Sequence, residues 1–244
     1  ACTLIQKRLN IGFCKHTATR RDGVDALVLQ AQTIHFIHRN VEQSCHLVDK
    51  RARAACASSV HALLDAVVID EAASTVYITD PACSLDVGAV AKGWATQRVA
   101  ENAPAGMLIS VGGNVCATGP KTEDGTPWVI GIQDPKDSSQ NCHTLFVTGG
   151  CVVTSGDYQR TYTVDGKKYH HIIDPTTRMP GTLWRSVSVV CEDSALADAL
   201  STALFLMPLE EGRALAERCG ANILWIDSAG EEFMTPGFEK MIRT

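Results

Sequence analysis

The chain of 244 residues carries 22 Lys and Arg against 27 Asp and Glu, which gives a net charge of −5, and 45% of its residues are hydrophobic. This length allows one large domain, or one domain with an appendage, and the apolar fraction supports a sizeable core, so a disordered or fibrous protein is excluded. No window approaches about 18 consecutive apolar residues, so no transmembrane helix is predicted.

Charge is distributed unevenly along the chain. Residues 1–60 contain nine Lys and Arg and four Asp and Glu (+5), whereas residues 61–244 contain thirteen and twenty-three (−10). This shift predicts a boundary between a basic segment, residues 1–60, and a domain formed by residues 61–244. The first segment sustains neither a strand period nor a helix period, so we predict no element there. The acidic bulk of the chain argues against a nucleic-acid-binding protein.

The N-terminal sequence and the cysteines bear on the cellular compartment. The first 25 residues lack a signal-peptide pattern, so we expect either that the protein stays inside the cell or that the chain starts after processing or truncation. The missing initiator Met fits the second alternative. The ten cysteines are scattered without a CxxC pair, which disfavours a zinc ribbon or a thioredoxin-like motif. Their even number permits disulfides, but we expect most of them to be small buried side chains in a reducing compartment.

Short strands and helices follow one another from about residue 75. The predicted strands span residues 75–79, 107–111, 128–133, 145–148, 151–155, 160–164, 167–173, 186–191, 222–227 and 231–234. Helices are predicted over 89–102, with Val90, Trp94 and Val99 on the apolar side, over 195–207 and over 209–218. Asp165-Gly166 between two strands indicates a hairpin. Hairpins dominate and no repeated βαβ alternation occurs, so we predict an α+β fold with a largely antiparallel sheet core and packed helices.

The first candidate site lies at residues 86–93, where a Gly-bearing turn leads into a helix. Backbone N–H groups at such a turn can hold an anion, and Lys92 on the first turns of the helix could reach it. The alternative is that Asp86 only caps the helix.

The second candidate site lies on the predicted helix over 195–207. Asp198 and Thr202 are four residues apart, so they share one helix face, opposite Leu196 and Leu200. A carboxylate and a hydroxyl, supplemented by carbonyls or waters, suit Mg²⁺. An exposed polar face explains the same pattern.

The third candidate site is the histidine pair at positions 170 and 171. Neighbouring strand residues face opposite sides, so only one of the two histidines can share a face with Ile173. A histidine beside a phosphate site could act as a general base at neutral pH. The alternative is a structural histidine.

Two further segments combine glycine with polar side chains. Residues 154–160 place hydroxyls, a glycine, Tyr158 and an arginine in one predicted loop, which could bind phosphate or ribose or form an ordinary turn. Gly112-Gly113-Asn114 either allows close backbone approach to a ligand or simply turns the chain.

Taken in order, six segments of the chain resemble the ApbE family of flavin transferases. They are residues 85–95 (LDVGAVAKGWA), 108–114 (LISVGGN), 127–135 (PWVIGIQDP), 154–158 (TSGDY), 165–175 (DGKKYHHIIDP) and 197–202 (ADALST). The resemblance extends over residues 64–238 and implies an ApbE-like α+β fold for residues 61–244. It also implies a Mg²⁺-dependent FAD:protein FMN transferase, which attaches FMN from FAD to a Thr or Ser hydroxyl as a phosphodiester and releases AMP.

The resemblance assigns roles to seven residues. The FAD-binding residues it implies are Asp86, Lys92 and Ile173, and Gly113, Asn114 and Tyr158 of the two glycine-containing segments are also expected to bind FAD. The Mg²⁺ ligands it implies are Asp198, Thr202 and the backbone carbonyl of Ala89, and the catalytic base is His171. The Met-Gly-Thr segment, the Ser/Tyr-rich stretch and the helix that cover FAD in the family are not found in residues 1–60, so we expect incomplete walls around the adenine and isoalloxazine rings.

The expected partners are FAD and a flavin-acceptor protein with a Thr/Ser motif, without nucleic acid. Membrane association is expected only through a missing signal or lipid anchor. The resemblance favours the extracytoplasmic face of the membrane, whereas the absent signal and the cysteines favour the cytoplasm. Two other functions stay open: a Mg²⁺-dependent FAD pyrophosphatase, which would yield FMN and AMP, and a non-catalytic flavin-binding protein.

Overall fold

A computed structural model describes residues 67–70, 72–79, 87–174 and 177–243. Residues 1–60, expected to be irregular, lie outside the described residues, as does Asp86. No helix in the described part of the chain is long and apolar enough to cross a membrane.

Within the described ranges the chain forms fourteen strands and four helices. In chain order these are β1 (Val67–Asp70), β2 (Thr75–Ile78), α1 (Ala91–Ala100), β3 (Leu108–Val111), β4 (Asn114–Ala117), β5 (Trp128–Gln133), β6 (Asn141–Val147), β7 (Gly150–Gly156), β8 (Thr161–Val164), β9 (Lys167–His170), β10 (Ile173–Asp174), β11 (Met179–Pro180), β12 (Ser186–Cys191), α2 (Ser194–Phe205), α3 (Leu209–Arg218), β13 (Asn222–Ile226), β14 (Glu232–Met234) and α4 (Pro236–Glu239).

A six-stranded sheet with the order β14-β13-β12-β7-β4-β3 forms the centre of the molecule. Every neighbouring pair in it is antiparallel. Four two-stranded antiparallel pairs, β1–β2, β5–β6, β8–β9 and β10–β11, surround it. The predicted α+β class with a largely antiparallel core is confirmed.

Two tight hairpins use residues that tolerate a left-handed backbone. Gly112 and Gly113 have φ values of 56° and 87° between β3 and β4, and Asp165 and Gly166 have 49° and 76° between β8 and β9. Positive φ at both central residues matches a type I′ turn, whose twist suits a two-residue hairpin. The Asp165-Gly166 hairpin is confirmed, but the predicted strand 167–173 was too long, because β9 ends at His170 and Ile173 lies on β10.

Apolar side chains fill both faces of the central sheet. On β12, Val187 and Val189 pack in one core cluster with Leu204 of α2, whereas Val190 packs in a second cluster with Leu145 of β6. Neighbouring strand residues face opposite sides, so one strand supplies both cores. Helices α2 and α3 therefore cover one face of the sheet, and the β5–β6 hairpin and α4 cover the other.

The predicted apolar side of the first helix was wrong. Trp94 and Val99 of α1 are 45% and 54% exposed, and the buried residues of α1 are Gly93 and Thr96. Helix α1 packs closely against α2, and small side chains permit that approach where large ones would not. Only Val90, just before the helix, is buried as expected.

Strands β1, β4 and β11 were not predicted. Strand β4 reads Asn-Val-Cys-Ala, which lacks the alternation of large apolar and polar residues that marks a half-buried strand, because β4 is covered on both faces. The described cysteines, which are Cys116, Cys142, Cys151, Cys191 and Cys219, form no disulfide.

Candidate functional site

The close approach of α1 to α2 brings the predicted phosphate-binding segment and the predicted metal ligand together. A Cβ on Gly93 would lie 2.2 Å from the carbonyl oxygen of Ser194 and 2.5 Å from Cβ of Asp198. Without that atom, the backbone N–H of Gly93 donates a hydrogen bond to Oδ2 of Asp198 at 2.8 Å. Glycine at this position therefore allows the contact between the two helices.

Helix α2 holds Asp198 and Thr202 through a capped N-terminus. The Asp193 carboxylate accepts hydrogen bonds from the N–H groups of Ala195 and Leu196 at 2.8 and 3.0 Å, which fixes where the helix begins. Asp198 and Thr202 are both buried, so the alternative of an exposed polar helix face is wrong. Ala89, the third predicted metal ligand, precedes α1 and is buried in an apolar cluster with Ala199 of α2.

Lys92 pairs with the buried carboxylate. Its Nζ lies 3.1 Å from Oδ1 and 3.4 Å from Oδ2 of Asp198, and it donates to the carbonyl oxygen of Gly88 at 3.3 Å. The Asp198 side chain is 4% exposed and that of Lys92 is 35% exposed. Burial raises the pKa of the Asp198 carboxyl, and the nearby Lys92 ammonium and Gly93 N–H oppose this rise without cancelling it.

The Gly112-Gly113 turn lies beside the Lys92 side chain. A Cβ on Gly112 would lie 3.6 Å from Cδ of Lys92, and a Cβ on Gly113 would have no neighbour within 4 Å. Asn114, which follows the turn, is fully buried, and its Oδ1 accepts a hydrogen bond from the Ser194 hydroxyl at 2.6 Å. Its Nδ2 meets no described partner at full hydrogen-bond geometry, but the Asn114 side chain lies close enough to the Asp198 carboxyl to help lower its pKa. A buried amide donor beside an open glycine turn suits an anionic ligand.

Hydroxyl groups of β7 and α2 continue the polar cluster. The Ser201 hydroxyl donates to the carbonyl oxygen of Asp198 at 2.9 Å, so it accepts from the Ser155 hydroxyl at 2.8 Å. Ser155 Oγ also lies 3.5 Å from Thr202 Oγ1. The predicted loop 154–160 was partly wrong, because Thr154 and Ser155 belong to β7, where they face opposite sides and Thr154 contacts Ser188 instead.

The two histidines have different environments. His170 is buried; its Nε2 donates to the carbonyl oxygen of Gly181 at 2.9 Å, and its Nδ1 accepts from the N–H of Ile172 at 3.3 Å. Its ring meets that of Phe205 edge-on, with 5.6 Å between the ring centroids. Burial lowers the pKa of His170, and the bond to Gly181 only partly opposes this. His170 is therefore a structural histidine, whereas His171 beside it is partly exposed.

Two predicted flavin contacts, Tyr158 and Ile173, lie outside α1 and α2, just after β7 and on β10. The Tyr158 ring packs on Gly156, where a Cβ would lie 2.4 Å from the ring. Burial raises the pKa of the Tyr158 phenol, and the Ser186 hydroxyl opposes this. Ile173 is buried on β10 opposite Pro180. Among the described residues, no hydrogen bond or ion pair links either side chain to Lys92 or Asp198.

Four residues of the polar cluster were given no individual role from the sequence, although Gly93 and Ser155 lie in the candidate segments 86–93 and 154–160. They are Gly93, Ser155, Ser194 and Ser201. Gly93 was signalled only by its place after Lys92 in the helix, where a glycine is unfavourable unless packing requires it. The serines carry no sequence signal of their own, because their role depends on which strand packs beneath α2.

Comparisons with known proteins identify the family of this chain. A sequence model described as "ApbE family" matches residues 31–225. The chain is 36% identical over 167 residues to a FAD:protein FMN transferase of Klebsiella pneumoniae strain 342, covering 66% of this chain and 51% of that protein. It is 37% identical over 166 residues to the enzyme of the same name from Treponema pallidum strain Nichols, covering 62% of this chain and 46% of that protein. The chain thus spans about half the length of these curated relatives.

A solved structure supports the same assignment. The crystal structure of the ApbE protein of Thermotoga maritima is similar, with a TM-score of 0.70 and 29% sequence identity, covering 92% of this chain and 79% of that one. The six motifs, the antiparallel architecture and the sequence match over residues 31–225 agree. The chain belongs to the ApbE family.

Proposed function

We propose that the protein is a Mg²⁺-dependent FAD:protein FMN transferase, which moves FMN from FAD to a Thr or Ser hydroxyl of an acceptor protein. The observation that carries this proposal is the buried Asp198 carboxylate, which the Gly93 N–H and Lys92 hold beside the Gly112-Gly113 turn. The names of the curated relatives support the same reaction.

The oxygen atoms around Asp198 fit a hard cation. The Lys92 ammonium already lies between a carboxylate oxygen of Asp198, at 3.1 Å, and the Gly88 carbonyl oxygen, at 3.3 Å. We assign Asp198, the Thr202 hydroxyl and the carbonyl of Ala89 to hold Mg²⁺, which prefers oxygen ligands. When bound, the ion stabilises negative charge that develops on the pyrophosphate oxygens.

Lys92 and Asn114 are the proposed pyrophosphate contacts. The Lys92 side chain is 35% exposed, so its ammonium can turn from Asp198 toward a phosphate above the glycine turn. The buried amide of Asn114 and the open space over Gly113 favour an anion there. Asp86, Tyr158 and Ile173 are proposed as the remaining FAD contacts.

His171 is the proposed general base. The acceptor hydroxyl oxygen forms a bond to the FMN phosphorus, the bond from that phosphorus to the bridging oxygen breaks, and AMP leaves with that oxygen. The hydroxyl proton passes to His171, since an imidazole can accept a proton near neutral pH. Both ring nitrogens of the neighbouring His170 are engaged by backbone groups, so His170 is unsuited to this role.

The test is to incubate the full chain with FAD, Mg²⁺ and a peptide that carries one threonine. Mass spectrometry should find the peptide heavier by one FMN, and a matched peptide with valine in place of threonine should stay unmodified. Free AMP without an adduct would instead identify a FAD pyrophosphatase. Bound FAD that stays intact for hours would identify a flavin-binding protein. Either of these results would overturn the proposal.

A further inference from the structure

A group of metal-ligating side chains lies at the other edge of the central sheet from β3 and β4. Cys142 and His143 of β6 and Glu232 of β14 each offer one ligand atom, and these three atoms all lie within 4.8 Å of one another. We propose that Cys142, His143 and Glu232 form a Zn²⁺ site that joins the β5–β6 hairpin to the edge strand of the sheet. This site is separate from the proposed Mg²⁺ site and does not depend on the proposed function.

A β-bulge explains how two neighbouring residues can share one metal. Ile132 lies opposite His143 and Gln133 lies opposite Asn141, so Cys142 is an extra residue in β6. On a regular strand, the side chains of Cys142 and His143 would point to opposite faces. The extra residue interrupts this alternation, and bulges commonly re-aim a side chain in this way. The thiol and the imidazole therefore reach the same point.

The third ligand comes from a different sheet. His143 Nε2 lies 2.7 Å from Oε2 of Glu232, and the two side chains are 19% and 34% exposed. The Cys142 thiol donates weak hydrogen bonds to the carbonyl oxygens of Ile132 and Gln133, at 3.4 and 3.6 Å, which a thiolate ligand would give up. The site is thus partly shielded but open enough for an ion to enter. Ligand atoms around tetrahedral Zn²⁺ lie about 3.3 to 3.6 Å apart, so side-chain shifts of roughly 1 Å suffice.

The mixture of donor atoms selects the metal. One sulfur, one imidazole nitrogen and one carboxylate oxygen suit Zn²⁺, which binds all three kinds, with a fourth position left for water. Mg²⁺ prefers oxygen alone, so this site would not compete with Asp198 for it. Burial raises the pKa of the Cys142 thiol to about 11, and the Glu232 and Asp134 carboxylates add to this rise, so a bound ion must displace the thiol proton.

The test uses Co²⁺ as a spectroscopic probe on the full chain after treatment with a chelator. Wild type should show a thiolate-to-cobalt charge-transfer absorption band. The Cys142→Ser variant should bind one equivalent less of Co²⁺ with this band. Cys219→Ser, which removes another partly buried cysteine, and Asp198→Asn, which alters the proposed Mg²⁺ site, should both keep that equivalent. Other cysteines and histidines of the chain can also bind Co²⁺. The experiment therefore compares the band of each variant with that of wild type.

A second measurement uses Zn²⁺ itself. Zinc should raise the unfolding temperature of wild type, since an ion that binds only the folded state stabilises it. Glu232→Gln alters a surface side chain, so the fold should persist. Its zinc affinity should fall by more than about tenfold, because even residues that only contact a metal ligand typically contribute about 10- to 100-fold. A zinc-induced shift that is the same in Glu232→Gln and in wild type would overturn the proposal, as would a cobalt band unchanged in Cys142→Ser. Neither experiment contains FAD, so neither outcome bears on the transferase proposal.

Discussion

The backbone N–H of Gly93 donates a hydrogen bond to the buried carboxylate of Asp198 at 2.8 Å, across the contact between α1 and α2. The bond exists because glycine lets α1 approach α2 until no space is left for a Cβ atom. One residue therefore sets both the packing of two helices and the orientation of the carboxylate.

Gly93→Ala should destabilise the protein and impair the site. The added Cβ would overlap the carbonyl of Ser194, a backbone atom that cannot turn aside. Overpacking of this kind costs about 1 to 3 kcal/mol in the free energy of unfolding, which urea denaturation would measure. Gly149→Ala is the matched control, because its Cβ would meet nothing within 4 Å. Equal stability of the two variants would contradict the role given to Gly93.

The sequence patterns that predicted the structure correctly depend only on residues close together in the chain. Residues 186–191 form an unbroken strand as predicted, and the Asp165-Gly166 turn gives the expected hairpin, because both depend only on short-range backbone preferences. The spacing of Asp198 and Thr202 places them on one helix whatever surrounds it. The fold class, and the position of two candidate residues on one helix, can therefore be derived from sequence.

Contacts between residues that are far apart in the sequence were not predictable in the same way. Gly93 and Thr96 form the buried side of α1 because α2 packs against them. The sequence of α1 alone instead predicts that Trp94 and Val99 are buried. The position of Ser155 against Ser201 likewise depends on β7 lying beneath α2. Such contacts require the topology of the sheet, which hydrophobic periodicity does not contain.

Asp198→Ala should lower Mg²⁺-dependent turnover of FAD by about 100-fold or more, since it removes the carboxylate proposed to hold the ion. Turnover is measured as AMP release at several Mg²⁺ concentrations. Glu217→Gln, which neutralises an exposed carboxylate on α3, should keep the wild-type rate. A wild-type rate in Asp198→Ala would refute the metal assignment.

Lys92→Met should separate metal binding from catalysis. The Lys92 ammonium lies 3.1 Å from Oδ1 of Asp198, so it competes with any cation at that oxygen. Its removal should strengthen Mg²⁺ binding in the absence of FAD, measured by calorimetry, while turnover of FAD falls because a pyrophosphate contact is lost. Lys240→Met, at an exposed lysine, should change neither quantity. Weaker Mg²⁺ binding in Lys92→Met would show that the lysine supports the ion instead of competing with it.

His171→Gln should slow transfer to the threonine peptide by about 10² to 10⁴-fold, the usual contribution of a general base. FAD binding and the urea midpoint should change little, because the proposed role concerns a proton and not the fold. Adduct formation is followed by mass spectrometry at saturating FAD and Mg²⁺. A variant that transfers FMN at the wild-type rate would exclude His171 as the base.

His170 should make the fold sensitive to mild acid. Burial holds the pKa of its imidazole below the ordinary value of 6.5, so the unfolded chain takes up a proton more readily than the folded one. The stability that the neutral ring contributes is present above pH 6.5 and is lost as the pH falls through the lower pKa of the folded state. His170→Gln should be less stable than wild type at neutral pH, because it loses contact with the Phe205 ring, but its urea midpoint should fall less between about pH 6.5 and about pH 5. If the midpoint of His170→Gln falls as steeply as that of wild type, the acid sensitivity arises from other groups.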